Sequence, residues 1–232
     1  MRFTARSSPF SHFCLLILSC FCLSDPIWAT EPTKGQYDLL FKENFESGAD
    51  LWEPTDSTAW VLDEVDGQHV FSLIKKKSDY EPPVRSPYNR AILKGVQVSD
   101  LELTVRLKST SPDYNHRSLC LFFGYQDESH FYYVHFGKKA DPHANQIFIV
   151  NGEPRTKISL TTTPGTDWDD NWHTARVVRK ADSGEIAIFF DDLEKPVMTA
   201  KDETFKFGRV GIGSFDDPGQ FDDIEVRGVK HE

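Results

Sequence analysis

The sequence predicts an all-β fold, a two-sheet antiparallel β-sandwich of the jelly-roll type. Apolar and polar residues alternate from Leu39 to the end of the chain, which is the pattern of strands with one buried face. Asp-Gly, Asn-Gly and Ser-Gly pairs (66–67, 151–152 and 183–184) separate the alternating segments and predict turns. No amphipathic helix longer than two turns is found. Many short strands of this kind are stabilised when two sheets pack face to face.

The strand pattern is clearest in two segments. In DLELTVRLKS (100–109) Leu101, Leu103, Val105 and Leu107 share one face. The segments HTARVVRK and EIAIFFDD, joined by a Ser-Gly turn, predict a β-hairpin over residues 173–192.

The first 29 residues predict a signal peptide. Arg2 and Arg6 give a basic start, and an uncharged apolar run, FCLLILSCFCL, follows over residues 13–23. This run is too short to span a bilayer as a helix. We therefore expect cleavage after Ala29 and no transmembrane segment in the mature chain.

The predicted signal peptide implies a secreted or periplasmic location. After the signal peptide, the sequence predicts a linker over residues 30–37 and one sandwich domain over residues 38–229. Lipid anchoring at Cys20 or Cys22 is a second interpretation, but the preceding residues fit a lipobox poorly. The sequence does not specify the oligomeric state.

Charge and cysteine content narrow the possible partners. The chain of 232 residues has a formal net charge of −10, which argues against nucleic acid and anionic membranes and is compatible with calcium and with neutral or cationic glycans. Beyond the signal segment only Cys120 remains, so no intramolecular disulfide is expected. No phosphate-loop, dinucleotide-binding, G-x-S-x-G or H-E-x-x-H motif occurs, and no organic cofactor is expected.

Two segments are apolar or aromatic on both faces, CLFFGY (120–125) and HFYYVHF (130–136). Such strands lie at the centre of a sheet or carry a ligand surface on one face. The Pro-rich, charged segment 75–90 predicts a long loop between early strands.

The hairpin sequence W-H-x-A-R-V-V-R…S-G-E-I-A-I-F-F-D-D resembles that of laminin-G-like, concanavalin A-like jelly rolls. FKENFESGADLWEP resembles their opening strand, and GRVGIGSFDDPGQFDDIEVRG resembles their closing strands. The likeness covers most of residues 38–229 and extends to secreted bacterial sandwich domains related to the 3-keto-disaccharide hydrolase-like group. The carboxylate set E-x-D-x-x-E of family 16 glucanases is absent, so the resemblance does not imply their retaining mechanism.

The resemblance implies a concave sheet face that binds glycans, and HFYYVHFG is the best candidate for it. Alternation places Phe131, Tyr133 and His135 on one face of this strand. Aromatic rings stack on sugar rings, and imidazole or phenol groups bind hydroxyls. Tyr133 and His135 are therefore candidate binding residues or an acid/base pair. The alternative is an aromatic core strand with an inert, hydrogen-bonded histidine.

Further candidate ligand-binding residues flank that strand. Arginine binds uronate or sulfate groups through two parallel hydrogen bonds. The alternative for each residue is a solvated loop position. The candidates are Arg85, His116, Arg117, Tyr125 and Asn145.

A structural calcium ion is the candidate metal. Alternation places Glu43 in FKENF and Asp222 in FDDIEV on the same strand faces as neighbouring apolar residues. A carboxylate on an apolar face needs a hydrogen-bonding, ionic or metal partner. The first and last strands are usually neighbours in these sandwiches, so Glu43 and Asp222 are predicted to meet and bind Ca²⁺. The alternative is that each caps a strand end.

The Trp-His pair at the start of the hairpin predicts structure rather than catalysis. The resemblance implies that Trp172 is a core or sheet-edge residue and that His173 is structural, whereas Trp168 is the better candidate for an exposed sugar platform.

The sequence thus predicts a secreted carbohydrate-recognising domain associated with polysaccharide binding or processing. One alternative is a polysaccharide lyase or glycoside hydrolase that acts through Tyr133 and His135. Another is a non-catalytic laminin-G-like domain that binds protein.

Overall fold

The computed structural model describes residues 1–2 and 37–232, so the predicted signal segment and most of the predicted linker lie outside the described residues. The described part contains sixteen strands and one 3-10 turn, Ser57–Ala59. None of its helical residues forms a helix long and apolar enough to cross a membrane. The strands form two antiparallel sheets, which confirms the predicted sandwich.

Strands are numbered in chain order, and nine of them form the larger sheet. These are β1 (Asp38–Glu43), β3 (Trp60–Val65), β4 (Gln68–Leu73), β6 (Val98–Ser109), β11 (Ser159–Thr162), β12 (His173–Lys180), β13 (Glu185–Phe190), β14 (Met198–Lys201) and β16 (Gly219–Lys230). Their order is β11-β14-β13-β12-β6-β16-β4-β3, and β1 also pairs with β16. The first and last strands are therefore neighbours, as predicted.

Seven strands form the second sheet, in the order β10-β9-β8-β7-β15-β5-β2. They are β2 (Trp52–Pro54), β5 (Asn89–Leu93), β7 (Ser118–Asp127), β8 (His130–Gly137), β9 (Gln146–Asn151), β10 (Thr156–Lys157) and β15 (Arg209–Ser214). The two strands predicted to be central, β7 and β8, lie next to each other in the middle of this sheet.

The main core lies between the two sheets and follows the predicted alternation. On β6, Leu101, Leu103, Val105 and Leu107 are all buried in it. The predicted hairpin is formed by β12 and β13, which pair from Ala175↔Phe190 to Lys180↔Glu185. Alternate residues of these two strands are buried in the main core between the sheets. The alternation of apolar residues therefore determines which face of the larger sheet packs against the seven-stranded sheet.

Asp217 is a fully buried carboxylate that joins two loops at one end of the sandwich. Its Oδ1 accepts hydrogen bonds from the hydroxyl groups of Ser111 and Tyr114, both at 2.6 Å. Its Oδ2 accepts from the backbone N–H and the hydroxyl of Ser118, both at 2.9 Å. The loop before β7 is thereby tied to the loop between β15 and β16.

Replacement of Asp217 by Ala is expected to lower the free energy of unfolding by about 3 kcal/mol, because it leaves a buried N–H group and hydroxyls without an acceptor. Urea denaturation measures this loss. Asp216→Ala is the matched control, because the neighbouring Asp216 side chain is exposed; an equal loss in both variants contradicts the role given to Asp217.

Candidate functional site

The outer face of the seven-stranded sheet carries a second apolar cluster. Alternation along β8 is as predicted, with Phe131, Tyr133 and His135 on this outer face and Tyr132 in the main core. The other buried members of the outer cluster come from β5, β7 and β9 and are Ile92, Cys120, Phe122, Tyr125, Phe148 and Val150. The sheet is therefore apolar on both faces.

A covering segment, residues 75–88, shields this outer cluster from solvent. Val84 packs against the cluster, and Tyr80 accepts a hydrogen bond of 2.6 Å from the guanidinium of Arg90. The same guanidinium lies 4.9 Å from the ring centroid of Phe131. Arg155 adds to the cover, because its backbone N–H donates to the Arg85 carbonyl at 3.0 Å.

Tyr133 and His135 are consequently buried, and the expectation of an open concave face is wrong at these positions. Tyr133 has no exposed surface, and its hydroxyl accepts a 2.8 Å hydrogen bond from Arg155. Burial raises the pKa of Tyr133 well above its ordinary value. His135 is 6% exposed and lies 2.9 Å, through Nδ1, from the His143 carbonyl. Burial, with the nearby Arg155 charge, lowers the pKa of His135 to about 4.

Two other predicted binding residues stabilise loops instead. Arg117 is buried, and its guanidinium donates to the Ser109 carbonyl at 2.8 Å and to Asp170 at 2.9 Å. Asn145 is fully buried, donates to the Thr163 carbonyl at 3.0 Å and accepts from Thr166 at 2.7 Å. Neither side chain has polar groups directed to solvent.

The remaining predicted binding residues are not brought together. Tyr125 is buried and stacks on Phe131 with ring centroids 5.5 Å apart. His116 is exposed, with Nδ1 3.7 Å from a carboxylate oxygen of Asp141. Arg85 is exposed on the covering segment.

Glu43 and Asp222 do not form the predicted calcium pair. Glu43 Oε1 accepts from the backbone N–H groups of Asn44 and Phe45 at 3.1 and 3.0 Å, so it caps the end of β1. A β-bulge follows Asp222, where the register with β6 shifts. The bulge places Asp222 opposite Arg106, whose guanidinium lies 3.4 Å away.

The bulge explains the error, because an extra residue reverses the parity on which the prediction depended. A guanidinium beside one carboxylate and backbone donors on the other do not fit a Ca²⁺ site. Among the described residues, no three His, Cys, Asp or Glu side chains are grouped as metal ligands.

His173, from the Trp-His pair, is buried at the start of β12. Its ring stacks on Phe190 with centroids 4.8 Å apart and meets Trp168 edge-on at 5.3 Å. Its Nδ1 lies 2.8 Å from Asp191 Oδ2, and its Nε2 lies 3.1 Å from Asp169 Oδ1. The histidine thus fixes the strand ends of the hairpin to the preceding loop.

Trp168, the tryptophan expected to be exposed, is the more buried of the two. Trp168 is buried, and its indole N–H donates to the Phe136 carbonyl at 2.8 Å. Trp172 is half-buried outside the larger sheet, where the guanidinium of Arg106 lies 4.5 Å from its ring. The expectation of an exposed platform at Trp168 is therefore wrong.

A cleft of about 580 Å³ opens beside this hairpin. The loop before Trp168, the end of β8 and the connection from β13 to β14 form its walls. We call it the end cleft; its lining residues are Lys138, Thr163, Pro164, Gly165, Thr166, Asp167, Phe190, Asp191, Asp192 and Val197.

Backbone contacts hold the walls of the end cleft together. The Thr166 N–H donates to the Gly137 carbonyl at 2.9 Å, and the Ala140 N–H donates to the Pro164 carbonyl at 2.7 Å. A Cβ atom on Gly165 would lie 1.9 Å from the Lys138 carbonyl oxygen, so only glycine permits this approach.

Carboxylates dominate the end cleft. Asp191 adopts φ of +59° and accepts from the Thr174 N–H at 3.0 Å as well as contacting His173. Backbone N–H groups of Glu194 and Lys195, at 2.9 and 3.2 Å, lower the pKa of Asp192 and keep it ionised. Lys138 contacts Asp113, which balances its charge.

These cleft residues were not among the predicted binding residues. The paired aspartates that end EIAIFFDD were visible in the sequence, but Lys138 and Asp167 had no signal of their own. The cleft offers acceptors for hydroxyl or ammonium groups beside the apolar surface of Phe190 and Val197.

No protein-family model matches the chain, and no curated protein matches it. Solved structures do match. The carbohydrate binding module CBM66 from Bacillus subtilis is 16% identical with a TM-score of 0.54, over 77% of this chain and 96% of that chain. A galectin-like-fold protein of unknown function, also from Bacillus subtilis, is 12% identical with a TM-score of 0.57, over 84% and 100%.

A winged bean acidic lectin in complex with methyl-alpha-D-galactose is 10% identical with a TM-score of 0.55, over 83% of this chain and 98% of that chain. At such identities these likenesses show the fold alone. The chain therefore has a jelly-roll sandwich fold shared with lectins and carbohydrate-binding modules.

The buried state of His135 predicts a pH dependence of stability. Its pKa is lowered from 6.5 to about 4 in the folded protein. As the pH falls from 6.5 to about 4, the unfolded chain takes up a proton that the folded protein does not, so the free energy of unfolding falls by up to about 3 kcal/mol.

Urea denaturation of the wild type and of His135→Phe between pH 7 and 4 tests this. The variant is expected to lose less stability on acidification, whereas His143→Gln, at an exposed position, keeps the wild-type slope. Equal slopes for the wild type and His135→Phe contradict a buried neutral imidazole.

Proposed function

We propose that the domain recognises carbohydrate, and that the end cleft is its binding site. The observation that carries this proposal is a cleft of about 580 Å³ lined by Asp167, Asp191, Asp192 and an apolar wall. Its size is typical of sites for small ligands, which occupy about 300–1,000 Å³.

The chemistry of the lining suits a sugar. A carboxylate accepts hydrogen bonds from neighbouring hydroxyl groups, and such charge-assisted bonds are stronger than neutral ones. Phe190, Val197 and Pro164 supply apolar surface for the C–H faces of the ring. Asp191 and Asp192 are held in place by backbone donors, so little freedom is lost on binding.

The charge of the site selects among sugars. Three carboxylates against one lysine, which already contacts Asp113, disfavour uronates and sulfates. Neutral and amino sugars are the expected ligands. This replaces the arginine clamp expected from the sequence, because Arg117 is used inside the protein.

We infer export from the sequence, and export would bring the domain to where polysaccharides occur. The basic start and apolar run of the first 29 residues support secretion or a periplasmic location. Within that setting, the fold shared with lectins and carbohydrate-binding modules supports a role in polysaccharide binding or processing.

The geometry does not support catalysis by the predicted acid/base pair. Tyr133 and His135 are buried beneath the covering segment, and a general acid or base must reach the proton it transfers. A lyase or hydrolase acting through them therefore receives no support. A protein-binding role is the alternative that the following experiment separates from glycan binding.

A glycan array followed by isothermal titration calorimetry tests the proposal. We expect binding of a neutral or amino-sugar glycan with a dissociation constant in the micromolar-to-millimolar range. Asp167→Asn is expected to weaken it about tenfold or more, because a charge-assisted hydrogen bond is lost. Asp167 is suitable because its side chain is exposed and its loss disturbs no core residue.

Asp182→Asn is the matched control, an exposed aspartate in the turn between β12 and β13 and outside the cleft lining. It should leave the affinity unchanged. Reducing-end assays and absorbance at 235 nm should detect no product. Absence of binding across the array, or equal losses in both variants, contradicts the end cleft as a sugar site.

A further inference from the structure

Strand β3 is an open edge of the larger sheet. It lies at the end of the strand order, and among the described residues it pairs only with β4, without a register shift. The other described sheet edges are shorter or irregular: β2, β10 and β11 have two to four residues, and the register of β1 shifts after Leu39. Proteins usually shorten, distort or cover such edges, because their unpaired backbone groups bind other strands.

The turn of the β3–β4 hairpin sets the direction of the backbone groups on β3. Asp66 and Gly67 form this two-residue turn, with φ of +53° and +79°. In a turn of this type the flanking residues, Val65 and Gln68, are a hydrogen-bonded pair. Hydrogen-bonded and non-hydrogen-bonded pairs then alternate, so every second residue of β3 directs its N–H and C=O groups away from β4.

Leu62 and Glu64 are residues whose backbone groups point to the open edge. The bond from the Ile74 N–H to the Ala59 carbonyl, at 2.9 Å, agrees with this alternation at the other end of β3. The exposed carboxylate of Asp63 accepts from the Glu64 N–H at 3.0 Å, whereas the Leu62 N–H has no acceptor among the described residues. A strand beside β3 can therefore bond directly to Leu62.

Side chains along this edge are exposed on both faces of the sheet. Val61 and Leu62 expose 38% and 44% of their surface, and Asp63 and Glu64 are also exposed. Alternation places Leu62 and Glu64 on one face and Val61 and Asp63 on the other. An added strand covers apolar surface and meets a carboxylate on each face.

The segment that contains β3 is acidic. Residues 43–74 include eight aspartates and glutamates and no lysine or arginine. Three of these acidic residues lie on β3 and in its turn and form no ion pair among the described residues: Asp63, Glu64 and Asp66. A second copy of the chain is disfavoured as the partner, because it brings the same negative charges to the interface, whereas a basic segment complements them.

We propose that β3 binds an extended segment of another protein as an additional antiparallel strand, and that this segment combines apolar residues with lysine or arginine. Its backbone bonds to Leu62 and Glu64, its basic side chains lie opposite Asp63 and Glu64, and its apolar side chains cover Val61 and Leu62. This surface shares no residue with the lining of the end cleft, so it stands or fails separately from the proposed function.

A capped hexapeptide, Val-Lys-Lys-Val-Val-Thr, fits β3 in antiparallel register with its lysines opposite Glu64 and Asp63. Amide hydrogen exchange of the intact protein, followed by nuclear magnetic resonance, reports whether the Leu62 N–H becomes bonded. We expect a saturable slowing of Leu62 exchange by about tenfold or more. The slowing should be absent when glutamates replace the peptide lysines, and when the peptide backbone nitrogens are methylated.

Protein variants test the role of charge. Asp63→Asn combined with Glu64→Gln is expected to weaken peptide binding about fivefold at low salt, because two exposed ion pairs are lost. Asp182→Asn combined with Glu153→Gln, the same change of charge at exposed positions away from β3, should leave the affinity unchanged. Asp167→Asn, in the end cleft, should likewise leave it unchanged.

Three results overturn the proposal. One is Leu62 exchange that the lysine peptide does not alter, and another is equal binding of the lysine and glutamate peptides or equal losses in the two double variants. The third is self-association of the protein through β3 without peptide, which sedimentation velocity detects and which makes a second copy the partner.

Discussion

Aromatic and aliphatic side chains on both faces of the seven-stranded sheet must be kept from water, and this constraint shapes the rest of the molecule. The larger sheet covers the inner face. The outer face is covered by residues 75–88 and by Arg90 and Arg155, whose guanidinium groups lie over aromatic rings while they bond to tyrosine hydroxyls. Arginine suits this task because its flat surface packs on rings and its edge donates hydrogen bonds.

Because the outer face is sealed, it does not offer the open binding surface that the sequence resemblance implied. Tyr133 is inaccessible, and its pKa is raised, so an open aromatic platform does not exist at this position. Polar surface instead gathers at the end of the sandwich, where the turns after β8 and β13 and the loop before β12 meet. Loops at a strand end carry side chains without loss of sheet hydrogen bonds, which makes them suitable for a binding site.

The features that the sequence predicted correctly are those determined by neighbouring residues in the chain. The alternation of Leu101 to Leu107 and the turn at Gly184, where φ is +70°, follow from neighbouring residues alone. Alternation along the strand assigned Asp222 to the wrong face. The bulge before Ile224 depends on pairing with β6, a strand more than a hundred residues away. The positions of Trp168 and Trp172 depended likewise on which side of the larger sheet the chain crosses, and no short-range signal encodes that choice.

The end cleft combines residues that are separated by up to 59 positions, from Lys138 to Val197, so only the folded chain brings them together. Its connection to the Trp-His pair is physical. His173 stacks on Phe190 and contacts Asp191, so it stabilises the left-handed backbone at the very residue that lines the cleft. A residue that identifies the hairpin as structural thereby also positions a carboxylate of the proposed site. Structural and functional interpretations of such a histidine are compatible, since the contact that fixes the strand end also fixes the ligand-binding side chain.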